Sequence, residues 1–328
     1  MNLSVTQAGF LTSVQDLGRN GFRQLGVSFG GALDSHALRV ANLLVGNDES
    51  DAGLEITFGG LRMRLGDKRV IAWCGGDFDI RSGSTPLPAG HACVLDADDE
   101  LAINQPKIGC RAWLTISGGI DVPPMLGSRS TDLRAKFGGL NGRALRDGDE
   151  ASLGNQSDFS RSLVDLLRDQ RVASWSSPAE WSSTAKTETV LRVIRGVDWS
   201  RFNDVTIQRL TSDAFIVSPD SDRMGVRFDG PELRRNDDVD LVSEAVAPST
   251  IQVPPSGRPI LLLGDCQTIG GYPKIAHVIT VDLSLTAQLR AGDRVRFSEV
   301  SIADAHRFLL ERERQLDRFR IGLSLHDS

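Results

Sequence analysis

The sequence predicts a mainly β protein built from two domains of related topology. Three observations carry that prediction. The chain has 328 residues, too many for one small domain and suited to two of roughly 150 residues each. It holds 33 glycines against a single tyrosine, and its apolar runs are short and punctuated by Gly, Asp and Pro, the pattern of tight turns between short strands. It also repeats itself. "FLTSVQDLGRNGFR", from Phe10 to Arg23, and "FIVSPDSDRMGVR", from Phe215 to Arg227, both read Phe, two residues, Ser, a short acidic turn and Arg-x-Gly-x-Arg. Arg19, Gly21 and Arg23 answer Arg223, Gly225 and Arg227, with one extra residue in the first copy. "GLRMRLGDKRVIAWCGG" is echoed by "TIQVPPSGRPILLLGDC", and "RALRDGDEASLG" by "AQLRAGDRVRF". Three matches in the same order favour duplication over chance reuse of turns.

The elements follow in order. Residues 1–155 form the first β domain: "LEITFGG", "LRMRLGD", "RVIAWCGGDFDI", "ACVLDADDELAI" and "CRAWLTISGG" are strands between turns. "LRMRL" alternates with period two, as a half-buried strand does, whereas "RVIAWC" is continuously apolar and reads as a strand covered on both sides. "GGALDSHALRVANLLVG" is a helix, with Leu33, Ala37, Val40, Ala41 and Leu44 on one face, Asp34 as cap and Gly46 as stop. Residues 156–189 begin as a short amphipathic helix and become Ser-rich and weakly hydrophobic, which reads as a linker. Residues 190–300 restore the strand rhythm as a second β domain. Residues 301–328 are an amphipathic helix and tail, with Ala303, Phe308, Leu309 and Leu316 toward the body.

Composition excludes several classes of function. A net charge of −6 gives no positive field for nucleic acid or an anionic membrane surface. No apolar run approaches the ~20 residues that span a bilayer, and no secretory signal is visible, so a cytoplasmic location is expected. Cys74, Cys93, Cys110 and Cys266 contain no CxxC pair; Cys74 and Cys93 sit in apolar runs and read as reduced core thiols. His36, His91, His277, His306 and His326 form neither HxH nor HExxH, so no metal site is expected.

Two stretches carry candidate chemistry. Asp222, Arg223 and Arg227 follow the apolar strand "FIV". An arginine at a strand end can grip a carboxylate bidentately, or it can pin the loop through an Arg–Asp pair; for Arg223 both readings stand, and for Arg19 and Arg23 the second is favoured. "QVPPSGRPILLLGDCQTIGGYPKIA", from Gln252 to Ala276, then places Asp265, Gln267, Thr268, Gly270, Gly271, Tyr272 and Lys274 after a buried strand. Paired glycines let backbone N–H groups approach a ligand, and Gln267 and Thr268 can pair with an amide or ureido group. Neither GxxxxGK[ST] nor GxGxxG occurs. A plain Gly-Gly hairpin accounts for the glycines but not for so many clustered donors and acceptors.

These stretches resemble the allophanate hydrolase family of the second-subunit type, also described as biotin-dependent carboxyltransferase-like. That family includes the C component of bacterial 5-oxoprolinase and the C-terminal part of the carboxyltransferase region of urea carboxylase. The resemblance rests on "TSVQDLGRNGFRQLGVSFGGALDSHALRVANLLVGN", "LEITFGG", "SGGIDVPPMLGSRST", "SPDSDRMGVRFDGP" and "STIQVPPSGRPILLLGDCQTIGGYPKIAHVITVDLSLTAQLRAGDRVRF", in order from about residue 5 to 298. It implies two cyclophilin-like β-barrel domains with a few short helices. One departure stands out: "RVIRGVDWSRF" puts Asp198 and Trp199 where the family's second half turns through a "GPQ"-like sequence.

The resemblance further implies one subunit of an ATP-dependent 5-oxoprolinase, a hydrolase opening the cyclic amide of pyroglutamate to glutamate. With no P-loop, and no methionine followed by lysine to make a biotin-acceptor site, the ATP chemistry is expected on an ATP-binding large subunit. A β-barrel partner like the family's B component is expected alongside it. No covalent cofactor is expected, and biotin as a ligand stays open. The alternatives are a carboxyltransferase component acting on urea or a similar amide with a separate biotin carrier, and a non-enzymatic regulatory partner of the B component. Each reading needs a pocket for a planar N–C=O group. Asp265 or Gln267 would accept from its N–H, and the Gly270 and Gly271 amides would polarise its carbonyl. Gln252 and Thr268 join the binding set, Arg223 or Lys274 would hold a carboxylate, and Tyr272 or Lys274 would need a lowered pKa to act as base. The second charged turn is thus expected at the pocket, and the first, Arg19 to Arg23, in the fold of its own domain.

Overall fold

The period-two alternation of "LRMRL" and the continuous apolar run "RVIAWC" become strands of one sheet in the computed structural model, which describes residues 2–181, 188–236 and 241–325. The chain divides into two units: Met1–Arg19 with Gly30–Thr184 and Gln315–Ser328, and Asn20–Phe29 with Ala185–Arg314.

The first unit contains β1 (Asn2–Ala8), β2 (Leu11–Gln15), β3 (Gly53–Thr57), β4 (Leu61–Leu65), β5 (Arg69–Ser82), β6 (Thr85–Pro86), β7 (Cys93–Leu95), β8 (Glu100–Ile116) and β9 (Glu150–Ser152). They form a nine-stranded sheet, half of a barrel, in the order β2-β3-β8-β4-β1-β9, with β5 joining β8 to β6 and β7. In β4, Leu61, Met63 and Leu65 are fully buried while the arginines between them face outward. The first eight residues of β5 are all buried, because α1 (Ser35–Leu44) packs on β5 and β8 from the other face. Asp34 caps α1 as expected, accepting from Ala37 N at 2.9 Å, and Gly46 follows its end at φ 75°.

The segment 156–189 is only partly described. Helix α2 (Asp158–Leu166) is capped by Ser157. The chain then hydrogen-bonds to the neighbourhood of β7 through Val94 N to Arg171 O, Ala173 N to Ala92 O and Ser177 N to Gly90 O, at 2.7–2.9 Å. These residues form part of the first unit. Residues 182–187 lie outside the described residues.

In the second unit β10 (Glu188–Arg195), β11 (Phe215–Val217), β12 (Gly225–Asp229), β14 (Thr250–Gln252), β15 (Ile260–Leu262), β17 (Lys274–Val278) and β18 (Arg294–Glu299) close a barrel in the order β10-β17-β14-β15-β12-β11-β18, while β13 (Glu244–Ala245) and β16 (Ile269–Gly270) pair separately. Closure comes from the parallel pairing of β10 with β18, Leu191 opposite Phe297. Phe215, Phe228 and Phe297 fill the interior, their ring centroids 5.5–6.4 Å apart in edge and tilted contacts, a geometry favoured by aromatic quadrupoles. Helix α3 (Asp204–Ser212), capped by Asn203, interrupts the expected strand rhythm. After the single-turn α4 (Leu283–Thr286) comes α5 (Ile302–Ser324), which at 23 residues is not short. Leu316 is buried in it and Phe308 and Leu309 are half-buried, but Ala303 is exposed, one turn too early to reach the body.

The Gly-Asp repeat is realised bond for bond. Arg146 N donates to Asp149 Oδ2 at 2.7 Å and Arg290 N to Asp293 Oδ2 at 2.8 Å. Gly148 N reaches Val5 O and Gly292 N reaches Val217 O, each at 2.8 Å, with glycine φ of 84° and 89° that other residues rarely adopt. The strand match fares differently: β14 and β15 pair as a hairpin, whereas β4 pairs with β1 and β8.

Candidate active-site cleft

The second charged turn is built from its aspartate outward. Asp222 accepts from Met224 N at 2.8 Å and Gly225 N at 3.2 Å, and its own N–H donates to Gly225 O at 3.1 Å. That closure feeds the chain into β12. It also turns Arg223 inward, where Nε and Nη2 grip Asp265 Oδ2 and Oδ1 at 2.9 and 3.1 Å, both side chains 5% exposed. The expected carboxylate grip of Arg223 is therefore taken by the protein's own Asp265. The same pair keeps Asp265 from a ligand N–H. Asp222 does not pair with Arg227.

Past Asp265 the chain runs through Gln267 and Thr268 into β16. Val246 N donates to Thr268 O at 3.0 Å, and Glu244 and Ala245 of β13 lie opposite Gly270 and Ile269. The barrel strands and this ribbon border a cleft of about 400 Å³, lined among others by Arg227, Gln252, Gln267 and Tyr272. Gln252 is 1% exposed; its Nε2 donates to Tyr272 O at 3.3 Å, and among the described residues its carbonyl oxygen has no partner. The Gln267 carboxamide is likewise free of partners among the described residues. A Cβ built on Gly270 would lie 2.9 Å from Gln252 Nε2, 3.4 Å from Val246 Cγ1 and 3.5 Å from Gln267 Nε2. The glycine thus makes room for two carboxamides, which differs from the expected presentation of its own N–H. At Gly271 a Cβ would meet Leu241 O at 3.1 Å.

Charge in the cleft is uneven. Arg258 is neutralised by Asp229 at 2.8 Å, and Asp222 is turned to its own backbone. Arg227 is exposed, lines the cleft, and has no carboxylate partner among the described residues. Lys274 does not line the cleft. It is buried, its Nζ 2.9 Å from Glu244 Oε2 and 3.9 Å from Asp198 Oδ2, so it is neither a free base nor a carboxylate handle. Asp198, from the departing "GVDW" stretch, accepts from Lys274 N at 2.9 Å and pairs with Arg201 at 3.2 Å; it ties a turn to β17. Thr268 gives its carbonyl to Val246 and does not line the cleft.

The first charged turn splits. Arg19 is 1% exposed, donates to Ser130 O and stacks 4.5 Å over Phe137, holding the first unit as expected. Arg23 is part of the second unit, where its Nη2 donates to Val246 O and, at 3.4 Å, to Gln267 O. Sequence reasoning missed Arg23 and ranked Arg227 behind Arg223. The signal was present in the repeat, since both stand at the same place in Arg-x-Gly-x-Arg.

The cysteines behave as core thiols. Burial pushes Cys74 and Cys93 up to about 12, far from a thiolate nucleophile. Burial also raises Cys266, opposed by the charge of Arg23. His277, in contact with Thr250 Oγ1 at 3.2 Å, is lowered by burial and by Lys274. Among the described residues no His, Cys, Asp or Glu cluster could hold a metal, and no helix is long and apolar enough to cross a membrane.

Comparison with known proteins bears on this arrangement. The chain is 37% identical over 321 residues to the C component of 5-oxoprolinase from Escherichia coli, covering 96% of this chain and 97% of that one. It is 34% identical to the Haemophilus influenzae protein of the same name, covering 94% of each. The urea carboxylase structure of Kluyveromyces lactis superposes with a TM-score of 0.88 at 27% identity, over 97% of this chain but only 29% of that one. A profile of the carboxyltransferase domain, subdomains A and B, matches residues 25–299. With that match spanning most of its length, and the two bacterial 5-oxoprolinase relatives aligned almost end to end, the chain belongs to the carboxyltransferase-domain family.

Proposed function

We propose that this chain is the C component of an ATP-dependent 5-oxoprolinase, and that the cleft of the second unit holds the lactam. One observation carries the reading: two carboxamides with free groups, Gln252 and Gln267, share a cleft with the guanidinium of Arg227, which no carboxylate pairs among the described residues. A carboxamide offers one acceptor and two donors, so the pair can accept from the lactam N–H and donate to its carbonyl oxygen. Arg227 then meets the ring carboxylate with charge-assisted hydrogen bonds. Donors at the carbonyl oxygen stabilise the negative charge that develops when water adds there; the C–N bond then breaks, the nitrogen takes a proton, and glutamate results. ATP is assigned to a large partner subunit, and a second β-barrel chain to the role of the B component, because no phosphate-binding loop occurs in this sequence.

The urea carboxylase similarity favours a second reading, carboxyl transfer to urea from a separate biotin carrier. Urea has the N–C=O group but no carboxylate, and gives Arg227 nothing to hold. The test is purification of the native complex followed by ATP-hydrolysis assays with each substrate. ATP hydrolysis dependent on 5-oxoproline supports the first reading. Urea-dependent hydrolysis with a streptavidin-positive partner would replace it with the second.

A further inference from the structure

The segment Asn20–Phe29 leaves the first unit and belongs to the second, and the chain rejoins the first at Gly30. Within it Arg23 is half-buried. Its Nη2 donates to two carbonyls, Val246 O and Gln267 O. Val246 in turn donates its N–H to Thr268 O at 3.0 Å, so one guanidinium ties together the two chain segments that meet at Gln267. Nη1 is buried with no hydrogen-bond partner, and among the described residues no carboxylate pairs with Arg23. Burying a cation against carbonyl dipoles alone is a costly way to tether a loop. A neutral amide would satisfy the same carbonyls without that desolvation. Such costs persist where a site needs the geometry they enforce.

We infer that Arg23 is a positioning residue for the cleft: it fixes the backbone of Gln267 so that the carboxamide meets the substrate amide. The inference rests on the reading of the cleft given above. It also explains the repeated motif, since the second arginine of each copy serves the same cleft, Arg227 from its wall and Arg23 through Gln267.

The test is a double-mutant cycle in the native complex, with KM and kcat for 5-oxoproline measured for Arg23→Ala, Gln267→Ala and the pair. Each single variant is expected to raise KM about tenfold, the scale of losing a hydrogen bond to a polar substrate group. The double variant is expected to be no worse than Gln267→Ala within a factor of about two, because Arg23 acts through the side chain already removed. Multiplicative effects, or a lowered melting temperature with unchanged KM in Arg23→Ala, would overturn the inference while leaving the cleft reading in place. An unchanged KM in Gln267→Ala would instead strike the cleft reading, and with it the role of Arg23. Should Arg23→Ala not fold, Arg23→Lys is read in the same cycle with the same expectation, since a single ammonium cannot span both carbonyls.

Discussion

The two charged turns share a sequence pattern and divide their work differently. Asp16 is buried, accepting from Gly18 N, Ser128 Oγ, Arg129 N and Ser130 Oγ. Asp222 is exposed and accepts from Met224 and Gly225 alone among the described residues. The first arginine of each copy goes inward, Arg19 to a carbonyl and an aromatic ring, Arg223 to a carboxylate. The second arginine of each copy belongs to the second unit. Place within the motif therefore decides the role more than which copy is read. The Gly-Asp turns show the contrast: where the bonds are local and reach backbone N–H groups, both copies keep them.

The sharpest way to break this comparison is Arg223→Ala. It leaves Asp265 buried and unpaired, and a loss of about 3–5 kcal/mol is expected in denaturant unfolding. A loss near that of an exposed pair, about 0–1 kcal/mol, would remove the buried ion pair from the account. Asp16→Ala comes next: the Gly18 and Arg129 N–H groups and two serine hydroxyls lose their acceptor in the first unit, with an expected cost of about 2–4 kcal/mol, against under about 1 kcal/mol for Asp222→Ala on the surface. Equal losses at the two aspartates would mean that the copies do the same work after all. Gly270→Ala should cost less than about 1 kcal/mol, because the added methyl meets the ends of flexible side chains rather than backbone. It should nonetheless raise KM for 5-oxoproline by displacing Gln252, and an unchanged KM would show that the carboxamide is not held there for ligand.

The smallest effect concerns pH. The folded pKa of His277 lies below its ordinary 6.5, so the folded state favours the neutral ring. Its contribution to stability is present in full above pH 6.5 and is lost as pH falls through 6.5 toward the folded value. Denaturant midpoints measured from about pH 7.5 to about pH 5.5 should fall less steeply in His277→Asn than in the parent. Identical slopes would exclude this group.

Most of the fold was legible. Alternation in "LRMRL", the unbroken apolar run of β5, the cap at Asp34 and the Gly-Asp turns are local signals, and each became the element it suggested. Helix α3 was not legible, because its short amphipathic face sits among strand-like neighbours and only Asn203 marks its start. The site was half legible. Gln252, Gln267 and Tyr272 line the cleft as placed, since they flank a turn whose glycines are visible in the sequence. Arg223, Asp265 and Lys274 read as ligand groups because side-chain type reveals charge but not its neutraliser; Asp265 lies 42 residues from Arg223, and Glu244 lies 30 from Lys274. Arg23 was hidden for a related reason, since its carbonyl partner Val246 is 223 residues away.

Arg227, and not Arg223, is the residue assigned to the substrate carboxylate, and the cleft reading turns on that choice. The direct measurement is KM for 5-oxoproline in the native complex carrying Arg227→Ala, alongside the melting temperature of the isolated chain. KM should rise about tenfold to a hundredfold, the scale of a lost charge-assisted hydrogen bond, with the melting temperature unchanged because this guanidinium is exposed and unpaired among the described residues. An unchanged KM, or a loss of activity that merely follows a fall in melting temperature, would contradict the assignment.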